Sequence, residues 1–167
     1  LAASGASLLL VARQPEELLL LSQQLPGTHS CFSANLTSAS DLQALAGFVH
    51  TTGGIDMLIN NAGISQFGLC QQQQFSDLVS INLLVPMQLC QIFLPMLRKH
   101  QGQIVNVGSA FGSIGHPGFT GYCATKFGLR GFTEALQREL ADSGIQVKYF
   151  APRATETTIN SSDVVQL

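Results

Sequence analysis

Short apolar runs alternate with longer amphipathic segments along almost the whole of this 167-residue chain. Short apolar runs between turn residues are typical of buried strands, and apolar residues at steps of three and four are typical of helices. Their alternation favours a parallel sheet with helical crossovers. The predicted strands are Ser7–Val11, His29–Ala34, Asp56–Asn60, Gln103–Gly108 and Ile145–Phe150, and the predicted helices begin near Pro15, Ser38, Phe75 and Tyr122.

The stretch Ser109–Lys126 places a hydroxyl, a phenol and an amine close together in the chain. If Tyr122 begins a helix, Lys126 lies one turn later on the same face. A nearby ammonium favours the phenolate and lowers the pKa of the tyrosine, which makes Tyr122 a candidate general acid/base. Ser109 follows a predicted strand, where parallel sheets place their ligands, and is a candidate for holding a carbonyl oxygen. Taken alone, the pair also fits a helix-start tyrosine with a solvated lysine.

Three further features stand in a fixed order around this stretch. The run NNAG at 60–63 follows an apolar strand, Asn82 lies inside a predicted long helix, and Ser109 precedes Tyr122 by 13 residues. Together with the Y-x-x-x-K spacing that ends at Lys126, this order resembles the short-chain dehydrogenase/reductase family over nearly the whole chain. The resemblance implies an α/β fold of Rossmann type, a doubly wound parallel sheet with helices on both faces. It also implies hydride transfer between a nicotinamide cofactor and a carbonyl or alcohol substrate.

The resemblance assigns the catalytic roles residue by residue. It makes Tyr122 the general acid/base, and it makes Lys126 both the clamp on the cofactor ribose and the group that lowers the tyrosine pKa. Ser109 would orient the substrate carbonyl. Asn82 would lie at a local distortion of its helix, where its backbone carbonyl holds a water in a proton relay to the lysine. An asparagine satisfied within the core is the alternative at that position.

For the cofactor, the resemblance favours NADP(H) over NAD(H). The family has an acid at the end of the strand Ser7–Val11 when it binds ribose hydroxyls and a base when it receives a 2′-phosphate. Arg13 follows this strand here, and its guanidinium can fork onto a phosphate, although a solvated arginine is the alternative. Arg153 replaces the glycine that usually follows Pro152, which departs from the family pattern. The residues implied in cofactor binding are Arg13, Asn35, Leu36, Asn61, Ala62, Gly63, Tyr122, Lys126, Pro152, Thr155 and Thr157.

The family pattern also predicts structure outside this sequence. A first strand and a Gly-rich phosphate-binding turn would precede Leu1, and a substrate-covering segment would follow Leu167. We therefore expect residues 1–167 to be a single dinucleotide-binding and catalytic domain that is incomplete at both ends. The side chains at 64–74 are too generic to identify the substrate.

Charge is sparse in this chain. Only 11% of residues are charged, 46% are hydrophobic, and the net charge is −2. There is no basic run and no pure aliphatic run long enough to span a bilayer, so neither nucleic acid nor a membrane is an expected partner. The four cysteines (Cys31, Cys70, Cys90 and Cys123) have no metal-ligand spacing. This pattern favours reduced core thiols, no metal site and a cytoplasmic protein.

The predicted helix at 75–100 carries two apolar stripes. A helix that is apolar on two sides is buried on two sides, and a sheet can cover only one. We therefore expect a homodimer or homotetramer built on this helix. The first stripe is Leu78, Ile81, Val85, Leu89, Ile92 and Met96, and the second is Leu83, Met87, Cys90, Leu94 and Leu97.

Two alternative functions stay open at this level. A nucleotide-binding regulatory protein of the same fold would not need Ser109, Tyr122 and Lys126 together, and their presence argues against it. An epimerase or dehydratase of the same family is the nearest enzymatic alternative. Oxidation of a nicotinamide cofactor in an assay separates these functions from a reductase.

Overall fold

The computed structural model describes residues 1–152, which form two compact units that divide between Thr52 and Gly53. In the first unit, the parallel strands β1 (Leu9–Ala12) and β2 (Ser30–Ser33) are joined by helix α1 (Pro15–Gln24). Helix α2 (Ala39–Thr51) follows β2. Pro15 begins α1, and the Ser38 hydroxyl caps α2 by accepting a hydrogen bond from the backbone N–H of Asp41. Both predicted helix starts are confirmed.

The second unit contains a three-stranded parallel sheet in the order β3–β4–β5. A segment with two helices and a π turn connects β3 to β4, and a single helix connects β4 to β5. The predicted alternation of strand and helix is confirmed, with element ends displaced by one or two residues. The strands are β3 (Met57–Asn60), β4 (Gln103–Val107) and β5 (Gln146–Phe150), and the helices are α3 (Phe75–Val79), a π segment (Ser80–Leu84), α4 (Val85–His100) and α5 (Thr120–Glu139).

The segment Phe75–His100 is helical throughout and supplies much of the core of this unit. Members of both predicted stripes, such as Leu89 and Leu97, lie on a single buried face, which also includes Phe93. The exposed large apolar side chains of this segment are Phe75, Val79, Leu84 and Met87, and only Met87 belongs to a predicted stripe. Within α4 the buried residues Leu89, Cys90, Phe93 and Leu97 have the spacing of one helix face, so the two predicted stripes merge into a single buried face.

This long helical segment also meets the simple criteria for a membrane span. It has 26 residues, and its most apolar window has a mean hydropathy of 1.6. Core helices of globular domains meet the same criteria, and here α4 packs against β3 and β4. The apolar side chains of α4 that face β3 and β4 are therefore accounted for by packing on the sheet.

A buried chain of polar side chains ties the sheet to its helices. Asn60 Nδ2 donates to Asn106 Oδ1 at 2.8 Å, and Asn106 Nδ2 donates to Thr133 Oγ1 at 2.9 Å. Asn60 Nδ2 also lies 3.5 Å from the Cys90 sulfur on α4, while Thr133 belongs to α5. Both long helices therefore lie on the face of the sheet that carries Asn60 and Asn106. Asn60 therefore ties β3 to β4, whereas the neighbouring Asn61 is exposed.

The opposite face of the three-stranded sheet is more open. Met57, Ile59 and Phe150 are exposed there. On β3, Met57 and Ile59 alternate with the buried residues Leu58 and Asn60, as the two-residue period of a strand requires.

The four cysteines are free thiols. Cys90 and Cys123 are buried and Cys31 is half-buried, as expected for core thiols, but Cys70 is exposed. Cys70 begins a single 3₁₀ turn in the loop after β3, where the chain runs along the surface. The prediction of a core thiol is therefore wrong for Cys70.

Replacing Asn106 tests the buried polar chain. Asn106→Ala removes the acceptor of Asn60 and the donor to Thr133 in a site with no solvent exposure. We expect it to lower the free energy of unfolding by about 2–4 kcal/mol, because buried polar groups lose their partners and a small cavity is left. Urea unfolding followed by circular dichroism measures this loss. Asn61→Ala is the matched control and should change stability by less than about 0.5 kcal/mol, and equal midpoints for the two variants would contradict the account.

Candidate active site

The candidate site lies at the carboxyl end of β4, where the chain turns before α5. Ser109 follows the strand by two residues and caps a 3₁₀ turn, Ala110–Gly112. Its Oγ accepts a hydrogen bond from the backbone N–H of Phe111 at 3.2 Å. Because that bond uses a lone pair of the oxygen, the hydroxyl proton of Ser109 can still be donated.

Tyr122 and Lys126 lie on the first two turns of α5, one turn apart. The Lys126 Nζ is 5.6 Å from the centre of the Tyr122 ring, and it donates to the backbone carbonyl of Val107 at 2.9 Å. The Lys126 side chain is only 5% exposed. Burial lowers its pKa from the ordinary 10.5 to about 8, because an ammonium loses hydration there. The predicted placement of amine beside phenol is confirmed.

The expected lowering of the tyrosine pKa is wrong for this structure. Burial raises the pKa of Tyr122, and a hydrogen bond with the Ser109 side chain opposes only part of that rise. The ammonium of Lys126 is directed at the Val107 carbonyl and lies over the ring rather than against the phenol oxygen. Desolvation of the phenolate therefore outweighs the attraction of the lysine.

Asn82 lies in the π segment, at the local distortion that was expected for it. Its side chain is completely buried and holds both backbone groups of Ile64: Oδ1 accepts from Ile64 N at 2.8 Å and Nδ2 donates to Ile64 O at 2.9 Å. Nδ2 also lies 3.2 Å from Thr125 Oγ1, which in turn donates to the Tyr122 carbonyl. The amide thus joins the loop after β3 to the helix that carries Tyr122. The structure therefore shows the alternative reading, an asparagine whose side chain is satisfied within the core. The role of its backbone carbonyl in holding a relay water stays a prediction.

Gly63 lies where these groups meet. A Cβ at this position would be 3.2 Å from Asn82 Oδ1 and 3.9 Å from Lys126 Nζ. Any larger side chain would therefore enter the space between the amide and the ammonium. The neighbouring Asn61 and Ala62 are both exposed.

Gln73 fixes the loop after β3 to the start of α5, a role that the sequence did not reveal. Its Nε2 donates to the carbonyls of Gly68 and Gly118 at 2.6 and 3.1 Å, and its Oε1 accepts from Gly121 N at 2.9 Å. Gly121 directly precedes Tyr122, so Gln73 helps to set where that helix begins. Four consecutive glutamines stand at 71–74, and nothing in their pattern distinguishes the buried one.

Tyr149 on β5 is a second residue that sequence reasoning missed. Its ring fills the space beside Gly108 and Gly112, where an added Cβ would lie only 2.0 and 2.2 Å from ring or hydroxyl atoms. Its hydroxyl lies 3.4 Å from the backbone N–H and carbonyl of Ser109 and 3.5 Å from the Lys126 carbonyl. One side chain therefore packs between the turn of Ser109 and the helix of Lys126. In the sequence, the available sign was the pair of glycines, Gly108 before Ser109 and Gly112 three residues after it.

The family model described as short chain dehydrogenase matches residues 1–166. This chain belongs to the short-chain dehydrogenase family. Its fold is the doubly wound α/β fold of that family.

Two curated relatives match this chain over different lengths. Nodulation protein G of Rhizobium meliloti (strain 1021) is 36% identical over 94% of this chain, which spans 66% of that protein. The 3-oxoacyl-(acyl-carrier-protein) reductase FabG of Vibrio cholerae is 36% identical over 77% of this chain and 54% of its own length. The chain thus spans about two thirds or less of the length of these relatives.

A solved short-chain dehydrogenase from Sphingobium yanoikuyae, in complex with NADPH, superposes on this chain with a TM-score of 0.86. The two are 32% identical, and the match covers 95% of this chain and 65% of the other. At this similarity the backbone path of the two chains is the same over almost all of the matched region.

The first unit holds the short-chain dehydrogenase positions expected for the adenosine end of the cofactor. The Arg13 side chain is exposed at the end of β1, and its carbonyl accepts from the Ser33 hydroxyl. Asn35 is exposed, and its Oδ1 accepts from both the backbone N–H and the hydroxyl of Thr37. Leu36 is buried in the core of the unit, so only its backbone atoms are left to contact a cofactor.

The remaining expected cofactor contacts come after β5. Pro152 is half-buried, and Thr155 and Thr157 lie outside the described residues.

The lowered pKa of Lys126 predicts a pH dependence of stability. Between pH 8 and 10.5 the unfolded state binds more protons than the folded state at this lysine, so its contribution to stability rises with pH. We expect the free energy of unfolding of the wild type to gain about 2 kcal/mol on that of Lys126→Met between pH 7 and pH 9.5. Urea unfolding of both proteins across this range measures the gain.

Comparing two proteins also removes the contribution of Cys90, whose pKa burial raises to about 11 and which acts with the opposite sign above pH 9. A difference between wild type and Lys126→Met that stays constant over this range would contradict the buried, weakly basic lysine.

Proposed function

We propose that the full-length protein transfers hydride between NADP(H) and a carbonyl or alcohol substrate, with Tyr122 as the general acid/base. The observation that carries this proposal is the meeting of three groups at the end of β4. The Ser109 hydroxyl bonds to the Tyr122 phenol, and the buried Lys126 ammonium lies 5.6 Å from the centre of the Tyr122 ring. Gly63 leaves room beside that ammonium, since an added Cβ would lie 3.9 Å from it.

The residues at this point fit a bound nicotinamide nucleotide. Among residues 1–152, the Lys126 ammonium uses one of its three donors on the Val107 carbonyl, which leaves donors for the hydroxyls of a ribose. The absence of a side chain at Gly63 allows a flat group to approach the backbone. When bound, the cofactor supplies or accepts the hydride.

The side chains would handle the proton. In the reducing direction, the Tyr122 hydroxyl donates its proton to the carbonyl oxygen as the carbonyl carbon receives the hydride, and Ser109 donates a hydrogen bond to the same oxygen. The raised pKa of Tyr122 keeps the phenol protonated at neutral pH, which is the form that donates. The Lys126 ammonium lies close enough to stabilise the phenolate that forms. We propose that a water held by the Asn82 backbone carbonyl then returns a proton through Lys126.

NADP(H) is the proposed cofactor because Arg13 is the exposed side chain at the end of β1 and no acid stands beside it at Ala12 or Gln14. A guanidinium suits a 2′-phosphate, whereas an acid suits ribose hydroxyls. The relative from Sphingobium yanoikuyae was solved with NADPH, which supports the same choice.

We also propose a cytoplasmic homodimer or homotetramer. Val79, Leu84 and Met87 on the long helical segment and Phe127 on α5 are exposed apolar side chains that an additional subunit would cover. A small-molecule carbonyl or alcohol is the proposed partner of the site, with neither nucleic acid nor a membrane involved.

Replacing the phenol tests the central assignment. Tyr122→Phe removes the proton donor alone, and we expect turnover to fall by roughly 10²–10⁴-fold while cofactor affinity changes little. NADPH oxidation in the presence of a carbonyl substrate gives the rate, and cofactor fluorescence gives the affinity. Lys126→Met should weaken cofactor binding as well as slow the reaction. A full-length Tyr122→Phe protein that keeps more than half of its activity would rule out the assignment.

Arg13 tests the cofactor choice. Arg13→Asp removes the partner of a 2′-phosphate and adds a repelling charge, so the ratio of kcat/KM for NADPH over NADH should fall by at least about 10-fold. Arg98→Asp is the matched control, because Arg98 is exposed in the last turn of α4 and the change in net charge is the same. An equal ratio in both variants would show that Arg13 does not contact the cofactor.

A further inference from the structure

The two loops that surround Tyr122 form one continuous edge of the site. We call residues 64–74 and 110–119 the two-loop rim. Gly68 N donates to Gly118 O at 3.0 Å, and Gln73 donates to the same carbonyl, so the loops are bonded to each other. The Phe67 ring lies directly over Gly118, where an added Cβ would be 2.4 Å away. The loops therefore act as one surface.

Aromatic rings make up the part of this rim nearest Tyr122. Phe111 and Phe119 both meet the Tyr122 ring edge-on, with centroids 6.2 and 6.4 Å away. Phe67 lies 5.2 Å from Phe119, and His116 stacks on Phe111 at 5.0 Å. Phe119 is buried at the centre of the cluster, while Phe67 is 40% exposed. The exposed ring of Phe67 thus belongs to the same aromatic cluster as the proposed proton donor, with Phe119 between them.

The rim contains no charged side chain. Residues 64–74 and 110–119 include no Asp, Glu, Lys or Arg, although they include the exposed apolar residues Leu69 and Ile114. Outside the rim, Arg130 is already bound to Glu134 and to the Ser113 hydroxyl. Lys126 is buried against the Val107 carbonyl. These loops therefore carry no lysine or arginine that could receive a carboxylate or phosphate, and their one histidine, His116, stacks on Phe111 with its Nδ1 2.9 Å from the Pro117 carbonyl.

A cavity of about 150 Å³ adjoins the rim and adds a negative charge to it. Its one charged lining residue is Asp77, at the start of the long helical segment. An anionic substrate would meet this carboxylate and lose hydration without gaining a partner. The cavity is lined by Ile64, Ser65, Gln66, Gln74, Asp77 and Leu78.

We propose that the two-loop rim selects a neutral carbonyl compound with an aromatic or bulky apolar substituent over one that carries a carboxylate or phosphate. A planar or bulky group packs against exposed rings at little cost in conformational entropy, and aromatic pairs gain beyond the area that they bury. This inference rests on the proposed function, since it names the substrate class of the same site.

Three ketones, each assayed with the full-length enzyme, separate the effect of substrate charge from the effect of the ring. Acetophenone and benzoylformate share a phenyl ring and a carbonyl, but the second replaces the methyl group with a carboxylate. Butan-2-one lacks the ring. We expect kcat/KM with NADPH to be at least about 30-fold higher for acetophenone than for benzoylformate, because the carboxylate stays unpaired. We also expect kcat/KM for acetophenone to exceed kcat/KM for butan-2-one.

Two ring variants and one matched control locate the effect. Phe67→Leu and Phe111→Leu should each lower the ratio of kcat/KM for acetophenone over butan-2-one by about 3–10-fold, the value of an aromatic pair. Phe48→Leu in the first unit is the control. It removes a ring that also lies 5.2 Å from its partner, Phe32, and should leave the ratio unchanged.

The outcomes distinguish this inference from the function on which it rests. If benzoylformate is reduced as well as acetophenone or better, carbonyl reduction stands and the selection of neutral substrates is overturned. If the ring variants and Phe48→Leu change the ratio for acetophenone over butan-2-one alike, the preference for an aromatic or bulky substituent at the rim is overturned. If no carbonyl compound is reduced with either cofactor, the proposed function fails and this inference fails with it.

Discussion

The side-chain amide of Asn82 determines how the second unit is held together at its functional end. It pairs with the backbone N–H and the carbonyl of the same residue, Ile64, much as a neighbouring strand would. Its nitrogen also reaches Thr125, which bonds to the Tyr122 carbonyl. Because the amide has no contact with solvent, breaking these bonds would leave polar groups buried without partners. Together with Gln73, this side chain sets the position of the loop after β3 relative to α5.

A second buried network supports the first from the middle of the sheet. The side chains of Asn60, Asn106 and Thr133 bond in series across β3, β4 and α5. Hydrogen bonds are stronger in a low-dielectric interior, and an unfilled partner there is costly. The strand ends that carry the site are therefore held by specific bonds as well as by apolar packing. The proposed site, in which the Lys126 ammonium lies 5.6 Å from the centre of the Tyr122 ring, benefits from such rigidity.

Sequence reasoning succeeded where local chemistry decides the outcome. Pro15 and Ser38 begin their helices because a fixed φ and a capping hydroxyl act over a few residues. The spacing of four residues also placed Lys126 beside Tyr122, and the family resemblance located the distortion at Asn82. The direction of the Tyr122 pKa shift was missed, because burial comes from packing that a spacing of four residues does not describe. Gln73 could not be distinguished from the glutamines around it for the same reason.

The ring of Tyr149 occupies the volume that side chains at Gly108 and Gly112 would need. These three positions are distant in the chain, since one belongs to β5 and the other two flank Ser109, yet they share one space. A change to a larger residue at either glycine is tolerated only together with a smaller residue at 149. The three positions are therefore expected to vary in concert during evolution, and a designer who alters one must redesign the others.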